Sequence, residues 1–304
     1  MDVHLEWLGV STFRLTLGGT VVWLDAYMDR VPSAPPVGLS SGEVDRADYI
    51  LVGHSHFDHL YGAATIAKNT GATIVGSYET VRLMSDAGIG EASLLPVSGG
   101  EPLDLGDNIR VRVFPSLHSC IWASSGRAAD DECLGDLGVS HQERVGRLSA
   151  GLAAGGGTEE IRAHLETTGP WPRGDGGALA YLIETPEGSI LWKDTSGHWT
   201  SLLPTLRPDV ALLAAAGRGN VDGEPVQGSL SDFIAQEVRH LEPGRVLLCH
   251  HDNWMPPFTQ ELDVDPIRAA LKTSAPRTDL VEVGYLDPYP VLPLASRGGR
   301  RPGA

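Results

Sequence analysis

Residues 51–62 read LVGHSHFDHLYG, an apolar run followed by three histidines and one aspartate within six positions. On a helix, side chains two apart point to nearly opposite sides, so His54 and His56 can face one point only from an extended or turning segment. The apolar run supplies such a segment as a strand, and Gly53 permits a sharp exit from it. Asp58 and His59 then begin the next turn, where both can face a second point. The pattern therefore asks for a strand that ends in a loop crowded with ligands, suited to two adjacent metal ions. As buried structural residues these four groups would each cost about 1–3 kcal/mol if left without a partner, and metal ligation removes that cost.

Neutral imidazole nitrogens and carboxylate oxygens are the ligands expected for zinc and similar divalent ions at hydrolytic centres. Four such groups cannot fill two coordination shells. Later in the chain, His118 in PSLHSC, Asp194 in LWKDTSGHW and His250 in LLCHHDNW stand at the ends of strand-like runs and are the candidates to complete them. A closed structural zinc site usually uses thiolates, whereas this set has none, so an open catalytic site is the better inference. Cys120 and Cys249 adjoin candidate ligands and read as small buried neighbours.

The surrounding pattern is one of strands with helices between them. VHLEWLG, STFRLTL and TVVWLDA are β-branched and aromatic, with Gly18-Gly19 as a hairpin turn, so the chain opens as antiparallel strands. Residues 31–44 read as a loop and ADYILVG as a buried strand. A helix over LYGAATIAKN, a strand over ATIVGS and a short helix over ETVRLMSDAG follow. Further strands fall on IRVRVFPS, GALAYLIET, SILWKD, DVALLAA and RVLLCHH, and helices on 229–241 and 265–273. Residues 124–176 are rich in glycine and charge and read as an insertion, either a surface excursion or a pocket wall. We expect one domain over 1–295 and a disordered tail at 296–304.

The histidines and aspartates, in this order and at these strand ends, resemble the metallo-β-lactamase superfamily of metal-dependent hydrolases, and within it most the ascorbate-6-phosphate lactonase-like branch. The resemblance runs from about residue 3 to residue 255. It implies an α/β four-layer αββα sandwich with the metal site along one edge. It further implies that His54, His56 and His118 hold one ion, that Asp58, His59 and His250 hold a second, and that Asp194 bridges them. Asp25, in WLDAYM, takes the position of an early structural aspartate that orients ligands through hydrogen bonds. His250 fits the family pattern as the last ligand. The assignment can slip by one to His251, which otherwise becomes a candidate for substrate contact or proton donation. Asp58 and His251 are thus the candidate catalytic groups. The family-like GDTG is KDTSG here, with Lys193 where a small residue is usual.

The activity so implied is hydrolysis of a small-molecule ester, lactone or amide by a hydroxide held between two divalent ions, Zn2+ in the first place, with Mn2+ or Fe2+ also acceptable to these ligands. The alternatives are a phosphodiesterase on a small or lipid phosphodiester and a metal-binding protein without turnover; a binder would be expected to have lost ligands, and none is missing. A formal charge of -16 disfavours nucleic acid, because no basic cluster offsets it. Three scattered cysteines argue against a disulfide framework. With no signal-like N-terminus and no apolar run of about 18 residues, a cytoplasmic protein without a membrane span is expected.

Overall fold

The computed structural model describes residues 1–154, 157–168 and 174–294. The tail expected at 296–304 and part of the 124–176 segment lie outside the described residues.

The chain starts with strands β1 (Val3–Trp7), β2 (Phe13–Leu17), β3 (Thr20–Leu24), β4 (Tyr49–Leu51), β5 (Thr73–Gly76) and β6 (Leu94–Pro96). It continues with β7 (Pro102–Gly106), β8 (Ile109–Pro115), β9 (Leu179–Thr185), β10 (Gly188–Lys193), β11 (Gly197–His198) and β12 (Val210–Ala214). The last strands are β13 (Asn220–Val221), β14 (Glu224–Pro225), β15 (Arg245–Cys249), β16 (Asp279–Val281) and β17 (Tyr289–Leu292). One seven-stranded sheet has the order β17-β1-β2-β3-β4-β5-β6, a second has β16-β15-β12-β10-β9-β8-β7, and β11, β13 and β14 form a small third sheet. The expected hairpin is present: Leu17 pairs with Thr20 across Gly18-Gly19.

Alternation along the strands divides the core into layers. From β9, Leu179, Tyr181 and Ile183 join Leu5, Leu15, Leu24 and Val75 of the first sheet in an inter-sheet core. The intervening Ala180 and Leu182 face outward and pack with Leu213, Leu248, Phe233 and Ile234. Strands covered on both faces read as unbroken apolar runs such as VALLA, because neither set of side chains meets water. Each fully buried aliphatic or aromatic side chain of this kind contributes about 1.5–3 kcal/mol.

The outer face of the second sheet is covered by α6 (Leu230–Leu241) and α7 (Asp265–Ser274), the helices expected at 229–241 and 265–273. That of the first sheet is covered by α2 (Ala63–Thr70) and α3 (Tyr78–Asp86), through Ala63, Ile66, Leu83 and Met84. Helix, sheet, sheet, helix is the expected four-layer sandwich. The expected insertion carries helices α4 (His141–Ala154) and α5 (Glu159–Thr167). Ile161 of α5 is buried against Val31, Phe57 and Trp254, so this part of the segment is a packed wall.

Strands β3 and β4 run parallel to each other, as do β10, β12 and β15. Strand β8 is antiparallel to β9 and β9 to β10, so β8 runs with β10. The segments that leave their C-terminal ends, with Asp25, His54, His118, Asp194 and His250, therefore emerge along one edge of the sandwich. Crevices outside the carboxyl ends of parallel strands are where α/β sheets bind ligands.

Candidate metal centre

His54 follows β4 directly, and His56 is still extended (φ -66°, ψ 157°) as the cap of α1 (Phe57–Leu60), the four-residue helix that carries Asp58 and His59. The change from extended to helical backbone lets one hexapeptide serve two places. Gly53 has a different role from the one expected, since its φ is not positive. A Cβ at Gly53 would lie 2.1 Å from Cγ of Asp194, so the missing side chain is what admits that carboxylate.

Three groups of ligand atoms result: His54, His56 and His118; His54, His59 and Asp194; and Asp58, His59 and His250. Within each group the atoms lie within 4.8 Å of one another. In the first, His54 Nε2 is 3.0 Å from His56 Nδ1. Two nitrogens on one tetrahedral zinc are about 3.3 Å apart, so this pair has the spacing of two ligands of one ion. His118 Nδ1 lies 2.9 Å from the Ser119 carbonyl, to which it donates, leaving Nε2 as the acceptor. In the third group, Asp58 Oδ2 is 3.2 Å from His250 Nε2 and 3.5 Å from His59 Nε2. Asp194 lies between, its Oδ2 2.5 Å from His54 Nδ1 and 3.3 Å from His59 Nδ1. The three groups together contain the seven residues that the resemblance named.

Electrostatics explain why the cluster suits cations. Asp25 and Asp194 are wholly buried and Asp58 nearly so. Among the described residues no Lys or Arg forms an ion pair with any of the three. Burial raises the carboxyl of Asp25 to about 7 and that of Asp194 above its usual range, with His59 opposing both shifts. Burial also pushes Asp58 up, but His59 and His250 outweigh it and hold its carboxyl well below the usual value. His59 is lowered by burial and raised more by Asp58 and Asp25, ending well above a free imidazole. Burial holds His54, His56 and His118 down, so they stay neutral, the form that ligates metal. Oδ1 of Asp194 is buried with no hydrogen-bond partner. A buried carboxylate oxygen without a donor fits a divalent cation.

Behind the ligands, Asp25 adopts a left-handed backbone (φ 54°) and uses its carboxylate three ways. Its Oδ1 accepts from the Gly53 amide at 2.9 Å, while Oδ2 takes the Ser11 hydroxyl and His59 Nδ1, both at 2.5 Å. His59 is thereby fixed with Nε2 toward Asp58.

Known proteins resemble this chain in part of its sequence and in its fold. Residues 20–143 match the family model described as Beta-lactamase superfamily domain. A metal-dependent hydrolase of Pyrobaculum arsenaticum is 34% identical over 119 residues, 38% of this chain and 51% of that protein. One from Caldivirga maquilingensis is 32% identical over 152 residues, 48% of this chain and 65% of that protein. The chain thus spans about half to two-thirds of the length of these curated relatives. Among solved structures, the metallo hydrolase Igni18 of Ignicoccus hospitalis superposes with a TM-score of 0.60 at 15% identity, covering 95% of this chain and 98% of that one. YhfI of Bacillus subtilis, described as a metallo-beta-lactamase fold protein, superposes at 0.55 with 12% identity, covering 95% and 99%. CmlA of Streptomyces venezuelae, a diiron beta-hydroxylase, does so at 0.58 with 14% identity, covering 95% and 54%.

This is the metallo-β-lactamase fold. One edge of the sandwich gathers His54, His56, Asp58, His59, His118, Asp194 and His250. His251, the candidate for substrate contact or proton donation, is not in these groups. Its ring stacks on Trp7, centroids 4.9 Å apart and planes 5° from parallel, and burial holds its pKa down. His250 turns the other way because its own backbone is left-handed (φ 62°) and its amide donates to Val10 O. His198 is buried against Phe233 and Glu237 behind the second sheet. Tyr61 packs edge-on to Tyr27.

Sequence reading did not reach Ser11, or the tie of Asp252 to Arg30, Tyr285 and the Val10 amide that anchors the His250 loop. Only the aspartate following the two histidines hinted at the latter.

Proposed function

We propose that this chain is a metal-dependent hydrolase holding two divalent ions, most simply zinc. His54, His56 and His118 would hold one, Asp58, His59 and His250 the other, and Asp194 would serve both. The observation that carries this reading is the set of three buried carboxylates with imidazoles but, among the described residues, no Lys or Arg paired with them, one with an oxygen that no donor reaches. Bound ions would supply Lewis-acid polarisation of the scissile group and a water acidic enough to deprotonate near neutral pH. The names of the Pyrobaculum and Caldivirga relatives support the same reading. The fold alone does not choose the reaction, because it is shared with a diiron hydroxylase.

The chain's own residues prepare the site. Asp25 and Ser11 fix the ring of His59, and the Ser119 carbonyl fixes that of His118. Beside the ligands stands an apolar wall of Val10, Tyr27, Phe57, Trp254 and Met255, with Trp254 edge-on to His250 at 5.6 Å. A wall of this kind excludes water and favours a small uncharged substrate over a polyanion, consistent with the charge of -16. We therefore place an ester, lactone or amide ahead of a phosphodiester, and within carbonyl substrates a lactone, in keeping with the lactonase-like resemblance. We also read the sandwich as one domain with an insertion. Among the described residues no helix is long and apolar enough to cross a membrane. With three free cysteines, a reducing, cytoplasmic setting is our reading.

The test is a panel of lactone, ester, amide and phosphodiester substrates given to metal-reconstituted protein. Turnover of a carbonyl substrate that disappears on chelation and returns with metal supports the proposal. Turnover of phosphodiesters alone would replace the carbonyl assignment.

A further inference from the structure

Lys193, the departure from the family-like motif, is the last residue of β10 and immediately precedes Asp194. Successive strand residues face opposite ways, so Asp194 points to the metal centre while Lys193 points behind the sheet, toward α6. There its ammonium pairs with Oε1 of Glu237, with side chains 2% and 1% exposed. The same Oε1 lies 2.9 Å from Nδ1 of His198, also 1% exposed. Lys193 and His198 bracket the turn of Asp194, Thr195, Ser196 and Gly197. One buried carboxylate on a helix thus holds both ends of the turn that presents Asp194.

The turn is otherwise fixed from within the second sheet. Thr195 Oγ1 accepts from the Ser119 amide at 3.1 Å, Ser196 Oγ donates to Ala214 O at 3.0 Å, and Gly197 O accepts from Ser116 Oγ at 3.1 Å. None of these reaches α6. Nor does the Lys193–Glu237 pair need a functional reason to be costly: two charges removed from water are rarely as stable as apolar residues in the same volume. The helix itself shows the anomaly, since Glu237 occupies the apolar stripe formed by Phe233, Ile234, Val238 and Leu241.

We propose that Glu237 is a positioning residue for the metal centre, clamping Lys193 and His198 so that Asp194 is held at the point shared by both ions. This rests on the dinuclear reading given above. Two variants each cut one end of the clamp without leaving an unpaired charge. Lys193→Met with Glu237→Gln removes both charges and keeps an acceptor for His198; His198→Phe leaves the ion pair and keeps the ring stacked on Phe233.

The measurement is a Co2+ titration of the metal-free full chain, following visible absorption and chelator competition, with circular dichroism and thermal melting to verify folding. Each folded variant is expected to bind Co2+ about 10–100-fold more weakly, with a changed visible spectrum, as loss of a group that orients a ligand does. A change in melting temperature alone, with titration and spectrum superimposable on the parent, would overturn the inference. If one variant fails to fold, the other decides. A parent chain that binds no Co2+ would sink the dinuclear reading itself, whereas a parent that binds it and variants that match it would sink only the role of Glu237.

Discussion

Gly53→Ala is a one-methyl perturbation aimed at the centre of the account. The added Cβ would lie 2.1 Å from both Cγ and Oδ2 of Asp194 and 2.6 Å from Oδ1. Carbon atoms in ordinary contact are about 3.5–4.0 Å apart, so the carboxylate must retreat by roughly 1.5 Å. Asp194 has little room to do so, being wholly buried between Gly53, His54 and His59. Ligand distances at a metal site tolerate about 0.2 Å, so a shift of this size removes Asp194 from any ion it serves. Misplacement of about 1 Å near reacting groups costs on the order of 100-fold in rate. Overpacking of a filled interior costs about 1–3 kcal/mol of stability. We therefore expect Gly53→Ala to fold with a modestly reduced denaturation midpoint, to bind metal at least about 100-fold more weakly and to lose hydrolysis in proportion. Chelator competition and metal analysis after dialysis read the first effect, and turnover the second. Gly90→Ala is the control, because nothing lies within 4 Å of its Cβ position. A Gly53→Ala protein that retained parental metal affinity would refute the placement of Asp194 as a shared ligand.

Other outcomes follow from the same geometry. Asp25→Asn keeps an acceptor for the Gly53 amide and tolerates the left-handed backbone, but loses the anionic partner of His59; metal affinity should fall about 10–100-fold with a small change in melting, read by chelator competition. Arg30→Met leaves Asp252 buried without its cation, since their side chains are 3% and 6% exposed, and should cost about 3–5 kcal/mol in urea unfolding. His251→Phe, which preserves the stack on Trp7, should leave hydrolysis within about threefold of the parent, a difference under 1 kcal/mol in barrier, whereas His250→Phe should abolish it. Asp58→Ala and His59→Ala should each lower metal content and turnover together.

The hexad was legible because its constraint is local: residues at that spacing can converge only from a strand end and the turn after it. Alternating or unbroken apolar runs likewise mark β1 to β5, β8 to β10, β12 and β15 in the sequence. Short edge strands such as β6 and β16, three residues each, were not legible, because too few residues alternate to signal a period. The His250 or His251 choice was closed to sequence reasoning for a different reason. It depends on a left-handed backbone at His250, held by a bond to Val10 about 240 residues away. Gly53 read as a flexible exit and proved to be a matter of space, which only the position of Asp194 reveals. Lys193 inside SILWKD did carry a signal, since a lysine in a buried strand requires an acidic partner, and Glu237 on the apolar stripe of α6 is that partner.

The most direct measurement is the metal content of the reconstituted, extensively dialysed chain by elemental analysis, paired with turnover before and after complete chelation. The account predicts about two divalent ions per chain and hydrolysis that falls and recovers with them. A chain that retained no ions after reconstitution, or one that kept full turnover when stripped of metal, would contradict it.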